Sequence, residues 1–112
     1  MDTFLELSLL YEYYGELLTD TQKEICDLYY NQNFTLTEIA EDMGITKQGV
    51  RDALKKSEKL LYKYEQALSI WKKNDKLGCL VKEIVEKIQK SSVDETEKKQ
   101  IMDVANQISE LI

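Results

Sequence analysis

Residues 35–56 read TLTEIAEDMGITKQGVRDALKK, from Thr35 to Lys56, and the order of capping, apolar and glycine positions in this stretch decides the fold. Thr35 with Glu38 three residues on is a capping box, in which the threonine oxygen takes an N–H of the first turn and the glutamate returns to the N–H of the cap. Leu36, Ile39, Ala40 and Met43 then follow at helical spacing. Gly44 suits the left-handed position that closes a helix. Thr46 is placed to cap a second helix that starts at once. A short capped helix, a glycine turn and a second capped helix make a helix-turn-helix. Ile39 and Ala40 are expected to face Ile45, Val50 and Leu54 across the turn, and the small Ala40 allows the two helices to cross at about 90–120°.

The same reading extends in both directions. Upstream, Thr19 with Gln22 forms another capping box, opening a helix to about Asn31 with Ile25, Cys26, Leu28 and Tyr29 on its buried face. Asn31-Gln32-Asn33 reads as a loop. Before it, Phe4, Leu7, Tyr11, Tyr14 and Leu18 alternate steps of three and four, an amphipathic helix over residues 2–18. Downstream, Val50, Leu54, Ser57, Leu61, Tyr64, Leu68 and Trp71 keep four-three spacing without a break. They predict one continuous helix of roughly 25 residues, close to 40 Å long, ended near Asn74–Gly78. Leu77, Leu80, Val81, Ile84, Val85 and Ile88 mark a further helix, Ser91-Ser92 with Asp94 a break, and Ile101, Val104, Ala105, Ile108 and Leu111 a last one. The expectation is an all-α protein of about six helices. It forms one domain over 1–112, with a helix-turn-helix core at 19–60 and a long-helix extension with C-terminal helices over 61–112.

Composition agrees. The chain has 112 residues, no proline and only four glycines, too few turn formers for a sandwich or barrel. Histidine is absent, which removes the usual near-neutral general base, every nucleophile–histidine arrangement and the commonest metal ligand. Glu12 with Glu16, or Glu83 with Glu86, read as solvated helix surface, and no glycine-rich loop is present to cradle phosphate. Neither catalysis nor a metal nor any cofactor is expected. Cys26 and Cys79 are too few for a disulfide framework and read as small core residues. The N-terminal MDTFLELSLL lacks the basic start of a signal peptide, and no apolar run is long enough to span a bilayer. A reducing cytoplasm is the expected compartment, with no membrane partner.

The net charge of −6 hides a pattern. Residues 1–46 sum to −9, residues 47–76 to +5, and residues 77–112 to −2. A basic element between acidic flanks suits a polyanion held in one orientation. With Val50 inward, the opposite side of the second helix carries Gln48, Asp52, Lys55 and Lys59, with Arg51 on the flank and Lys47 at the exposed start. Gln48 can read adenine, and Arg51 or Lys47 guanine, in a major groove. Lys55, Lys56 and Lys59 suit phosphates, as do the hydroxyls of Thr35 and Thr37 at a helix N-terminus; Thr46 completes the candidate set. Asp52 repels phosphate unless it accepts from a cytosine amine or pairs with Lys55 or Lys56. Gly49 is read as a concession to close helix packing.

LTDTQKEICDLYYNQNFTLTEIAEDMGITKQGVRDALKKSEKLL, residues 18–61, resembles region four of bacterial sigma factors, which binds the -35 promoter element. The chain as a whole, most strongly over 1–70, resembles the YlxM family of small bacterial helix-turn-helix proteins. The opening SLLYEYYGELLT, the LYY before the loop and the TKQGV…KKSEKLLYKYE run carry that likeness. It implies an all-helical, non-enzymatic protein with a regulatory role linked, through gene neighbourhood, to the signal recognition particle. Gly49-Val50-Arg51 departs from the pattern, where an alanine precedes the valine and an aromatic often follows it.

Two partner readings stay open. Tyr13, pointing away from the stripe, and the seam residues Leu61, Tyr64, Leu68 and Trp71 are candidates for an interface, and the seam packs either within the chain or against a second copy. A homodimer presents two basic helices to two DNA half-sites, with DNA ahead of RNA as ligand. The alternative is an adaptor on the particle's protein or RNA that does not bind DNA.

Overall fold

Five helices begin at a residue whose side-chain oxygen takes up an N–H of the first turn. In the computed structural model, which describes residues 2–112, Asp2 caps α1 (Thr3–Tyr14) and Thr19 caps α2 (Asp20–Cys26). Thr35 caps α3 (Leu36–Met43), Thr46 caps α4 (Lys47–Leu68), and Asp94 caps α6 (Glu95–Leu111). Both expected capping boxes are closed: Gln22 N donates to Thr19 Oγ1 at 3.2 Å and Glu38 N to Thr35 Oγ1 at 3.1 Å, each with the reciprocal bond. Each such cap contributes about 1 kcal/mol. Among the described residues there is no strand, and the fold is all-α.

The remaining helix, α5 (Ile70–Gln89), corrects the expected boundary. The long helix does not run on to Asn74–Gly78. It stops at Ser69, which takes the left-handed conformation at φ 55°, and α5 passes through 74–78 unbroken. The stop is made in three dimensions. Tyr14 Oη donates to Glu65 Oε1 at 2.5 Å and accepts from Ile70 N at 3.0 Å, while Trp71 N donates to the same carboxylate oxygen at 3.0 Å. Two first-turn N–H groups of α5 are therefore satisfied by side chains from α1 and α4, a task otherwise left to a local cap.

The region between α1 and α3 is also less regular than a plain helix and loop. A 3₁₀ turn, Gly15–Leu17, follows α1, and α2 is continued by a π-helical turn, Asp27–Asn31, closed by Gln32 N on Asp27 O at 3.1 Å. Asn31 and Gln32 donate their side-chain amides to the two oxygens of Asp27, both at 2.8 Å, which holds that carboxyl below its ordinary range. The wider turn shifts the inward position by one residue. Tyr30 rather than Tyr29 is buried, with Tyr29 half-buried beside it.

Two compact units result, Met1–Trp71 and Lys72–Ile112. In the first, α1, α2 and α3 all pack on α4. Their common core holds Leu10, Tyr14, Ile25, Ile39, Val50 and Leu61, each at most 1% exposed. Leu10 lies outside the expected three-four stripe of α1 and is nonetheless fully buried. In the second unit α6 folds back along α5. Gly78 lies against Ile112, and Lys98 Nζ reaches Gln89 O at 3.2 Å. No described helix is long and apolar enough to cross a membrane.

Candidate nucleic-acid interface

The helix-turn-helix is built by the residues that signalled it. Gly44 sits at φ 68°, its N–H returning to Ala40 O, and Ile45 N follows to the same oxygen at 3.1 Å. This six-to-one bond closes α3 and turns the chain within three residues, Gly44 to Thr46, into α4. Ile39, Ala40, Val50 and Leu54 are buried together. Ile45 is 42% exposed and stays outside that contact, so it lies on the turn surface.

Burial of Val50, Leu54, Ser57 and Leu61 fixes which side of α4 meets solvent. Thr35, Thr37, Thr46, Lys47, Gln48, Arg51, Asp52, Lys55, Lys56 and Lys59 are all exposed. Among the described residues, ion pairs join Lys23 to Glu16 and Asp20, and Lys98 to Glu95; none uses a cation of α4. The charges of Lys47, Arg51, Lys55, Lys56 and Lys59 are thus directed outward. Lys63 extends the same side by one more turn and is also exposed. Its i+4 spacing from Lys59 is a signal that the sequence reading passed over.

Asp52 is engaged differently from expectation. It accepts from Gln48 Nε2 at 3.0 Å, one turn back, rather than pairing with Lys55 or Lys56. This bond ties the Gln48 amide to the next turn of the helix. Gly49 likewise answers to a local demand. A Cβ there would sit 3.2 Å from Thr46 Oγ1, the oxygen that accepts from Gly49 N at 3.0 Å. The close neighbour is the helix cap, and no crossing helix comes within 4 Å of that position.

The interface candidates separate by burial. Leu61 is 0% exposed, inside the core of its own chain, and offers nothing to a partner. Tyr64 and Trp71 are half-buried against that core, Tyr64 with its ring 6.1 Å from that of Tyr14. Leu68, at 46%, and Tyr13, at 36%, remain on the surface. Among the described residues no three acidic, cysteine or histidine side chains gather in a way that could hold a metal ion.

This architecture has relatives. The family model described as "Putative helix-turn-helix protein, YlxM / p13 like" matches residues 1–104. The chain belongs to that family, UPF0122. A UPF0122 protein of Caldanaerobacter subterraneus is 45% identical over 85 residues, covering 76% of this chain and 73% of its own. One from a Thermoanaerobacter species is 38% identical over 98% of this chain and 97% of its own. Another, from Clostridium perfringens, is 38% identical over 90% of this chain and 91% of its own. The family match bears out the resemblance read from the tyrosine-rich opening and the α4 run, and it extends into the UPF0122 chain's second unit.

Proposed function

We propose that this UPF0122 protein is a non-enzymatic cytoplasmic regulator that binds DNA through the exposed side of α4. The observation that carries the reading is a row of cations on that side, Lys47, Arg51, Lys55, Lys56 and Lys59, with no ion pair among the described residues. It lies on the second helix of a helix-turn-helix, the element that enters a major groove. Residues 19–60 are the reading core. Arg51, Gln48 and Asp52 meet base edges, with Asp52 accepting from a cytosine amine once Gln48 is released to an adenine. Lys55, Lys56 and Lys59 neutralise phosphates, and Thr35 and Thr37 at the start of α3 donate to the flanking strand. Two copies would present two such helices to a pair of half-sites.

A second reading is favoured by the Gln48–Asp52 hydrogen bond, which occupies two base-reading groups with each other and leaves the lysines for backbone contacts. Those contacts suit a folded RNA recognised by shape, and they fit an adaptor of the signal recognition particle. In-cell crosslinking followed by sequencing of bound DNA and RNA separates the two. Recovery of duplex sites supports the regulator, and recovery of the particle's RNA supports the adaptor. In vitro, replacing Lys55, Lys56 and Lys59 by alanine should reduce the slope of log K against log salt by about three, roughly one for each phosphate left without its cation. An unchanged slope rules out α4 as the contact surface for either ligand.

A further inference from the structure

The two-helix unit Lys72–Ile112 leaves much of its apolar surface in solvent. Val81 and Ala105 are buried. On α5, Leu77, Leu80 and Ile84 are 42%, 44% and 49% exposed, and on α6, Val104, Ile108 and Leu111 are 38–85% exposed. Each trio keeps three-four spacing, so each forms a seam along its helix. At about 100° per residue, each seam stands roughly a quarter turn from the inward residues of its helix, in the same sense along the chain. Because α6 runs back along α5, the two seams emerge on one side of the hairpin. Next to the α5 seam lies a groove of about 340 Å³ lined by Lys73, Lys76, Leu77 and Leu80.

We infer that this α5–α6 face is the surface on which a second copy of the chain docks, forming a four-helix bundle from two hairpins. The inference rests on the two-copy part of the function proposed above and is independent of its nucleic-acid part. Two facts choose a second copy over another partner. An isologous contact needs a face that complements itself, and this one does: α5 carries five lysines against three acids, +2, while α6 carries two lysines against four acids, −2. A two-fold axis parallel to the helices sets α5 of each copy against α6 of the other, pairing opposite signs and continuing the knobs-into-holes packing of a bundle. The same axis brings the turn ends of the hairpins to one level. Exposed Lys87 near the end of α5 then opposes exposed Glu97 near the start of the partner's α6. The docking surface therefore lies on this face, whereas Val50, Leu54, Ser57 and Leu61 of the α4 seam are buried within their own chain.

Sedimentation equilibrium of the full chain, without nucleic acid, tests the inference across the micromolar range. A dimer is expected. Leu80→Glu with Ile84→Glu should weaken it at least about tenfold, with the helical circular dichroism of the first unit retained. Lys87→Glu and Glu97→Lys should each weaken association, and the two together should restore it; this pair decides the matter if the apolar variant unfolds the hairpin. A chain that stays monomeric overturns the inference and assigns the face to a different protein. A dimer that survives Leu80→Glu with Ile84→Glu, or charge reversals that do not rescue each other, also overturns it. Loss of nucleic-acid binding with the dimer intact would strike the function proposal alone.

Discussion

The hydroxyl of Tyr14 and the carboxylate of Glu65 meet at 2.5 Å across 51 residues of sequence, and together they cap a helix that belongs to neither. Tyr14 is 1% exposed, so its polar tip must be satisfied inside the protein. The bonds to Ile70 N and Trp71 N turn that requirement into a helix start.

Tyr14→Phe removes the donor to Glu65 and the acceptor for Ile70 N, and should cost about 2 kcal/mol of unfolding free energy. Glu65→Gln keeps an acceptor for Trp71 N and should cost less. Because both side chains serve one network, the double variant should fall short of the summed losses. Urea titration of the three variants checks this, and additive losses would show that the cap is not shared.

Gly15 is close to its neighbour for a different reason. A Cβ there would lie 2.7 Å from the Tyr11 ring, whose hydroxyl donates to Lys23 O at 3.0 Å. The ring is held at its far end and cannot swing aside without breaking that bond. Gly15→Ala should lower stability by about 1–3 kcal/mol, as overpacking does. Thermal unfolding would show it, and an unchanged melting temperature would mean the ring yields freely.

The buried tyrosines set the alkaline limit. Burial raises Tyr11, Tyr14 and Tyr30 above the ordinary value of 10.0, with the Glu65 hydrogen bond next in importance for Tyr14 and the Asp27 and Glu58 charges next for the other two. A raised value in the folded state means that the unfolded chain releases its protons first. Stability should hold up to about pH 9, where the unfolded Cys26 thiol begins to ionise ahead of the buried one, and fall more steeply above about pH 10 as the tyrosines join, by up to about 1.4 kcal/mol per unit for each group. The Tyr30 hydroxyl is buried with no hydrogen-bond partner among the described residues. Tyr30→Phe should therefore leave neutral stability within about 0.5 kcal/mol and flatten the alkaline fall. Denaturant midpoints measured from neutral to high pH decide both points.

The two thiols should be distinguishable in the native protein. Cys26 is 0% exposed, the core residue expected, and its thiol is raised by burial, whereas Cys79, also expected in a core, is exposed on α5. Ellman's reagent should titrate one thiol at once and the second only in guanidinium. Rapid reaction of both would mean that the core around Cys26 opens readily.

The helix starts were legible because each is written in local chemistry. Thr19 with Gln22, Thr35 with Glu38, Gly44 and Thr46 act within three or four residues of themselves, and every one performs the expected task. The break at Ser69 was not legible. Its cause is a tyrosine more than fifty positions away, and the heptad spacing on either side continues as if nothing intervened. Tyr30 and Leu10 were missed for related reasons. A π turn moves the period by one residue, and a helix surrounded on more than one side buries more than a stripe. The basic side of α4 was read correctly as exposed, because burial of Val50, Leu54 and Leu61 determines it. The internal bond between Gln48 and Asp52 was not foreseen, since either residue had several partners within reach.

One side of α4 is anchored by Val50, Leu54, Ser57 and Leu61, while the other carries only solvated side chains. For protein engineering this separates vocabulary from grammar. Positions 48, 51, 52, 55 and 59 can be randomised together as a library, and surface changes of this kind shift stability by no more than about 0.5 kcal/mol each. On the function proposed above, variants with new ligand preferences can then be selected while the buried side of α4 is left unchanged.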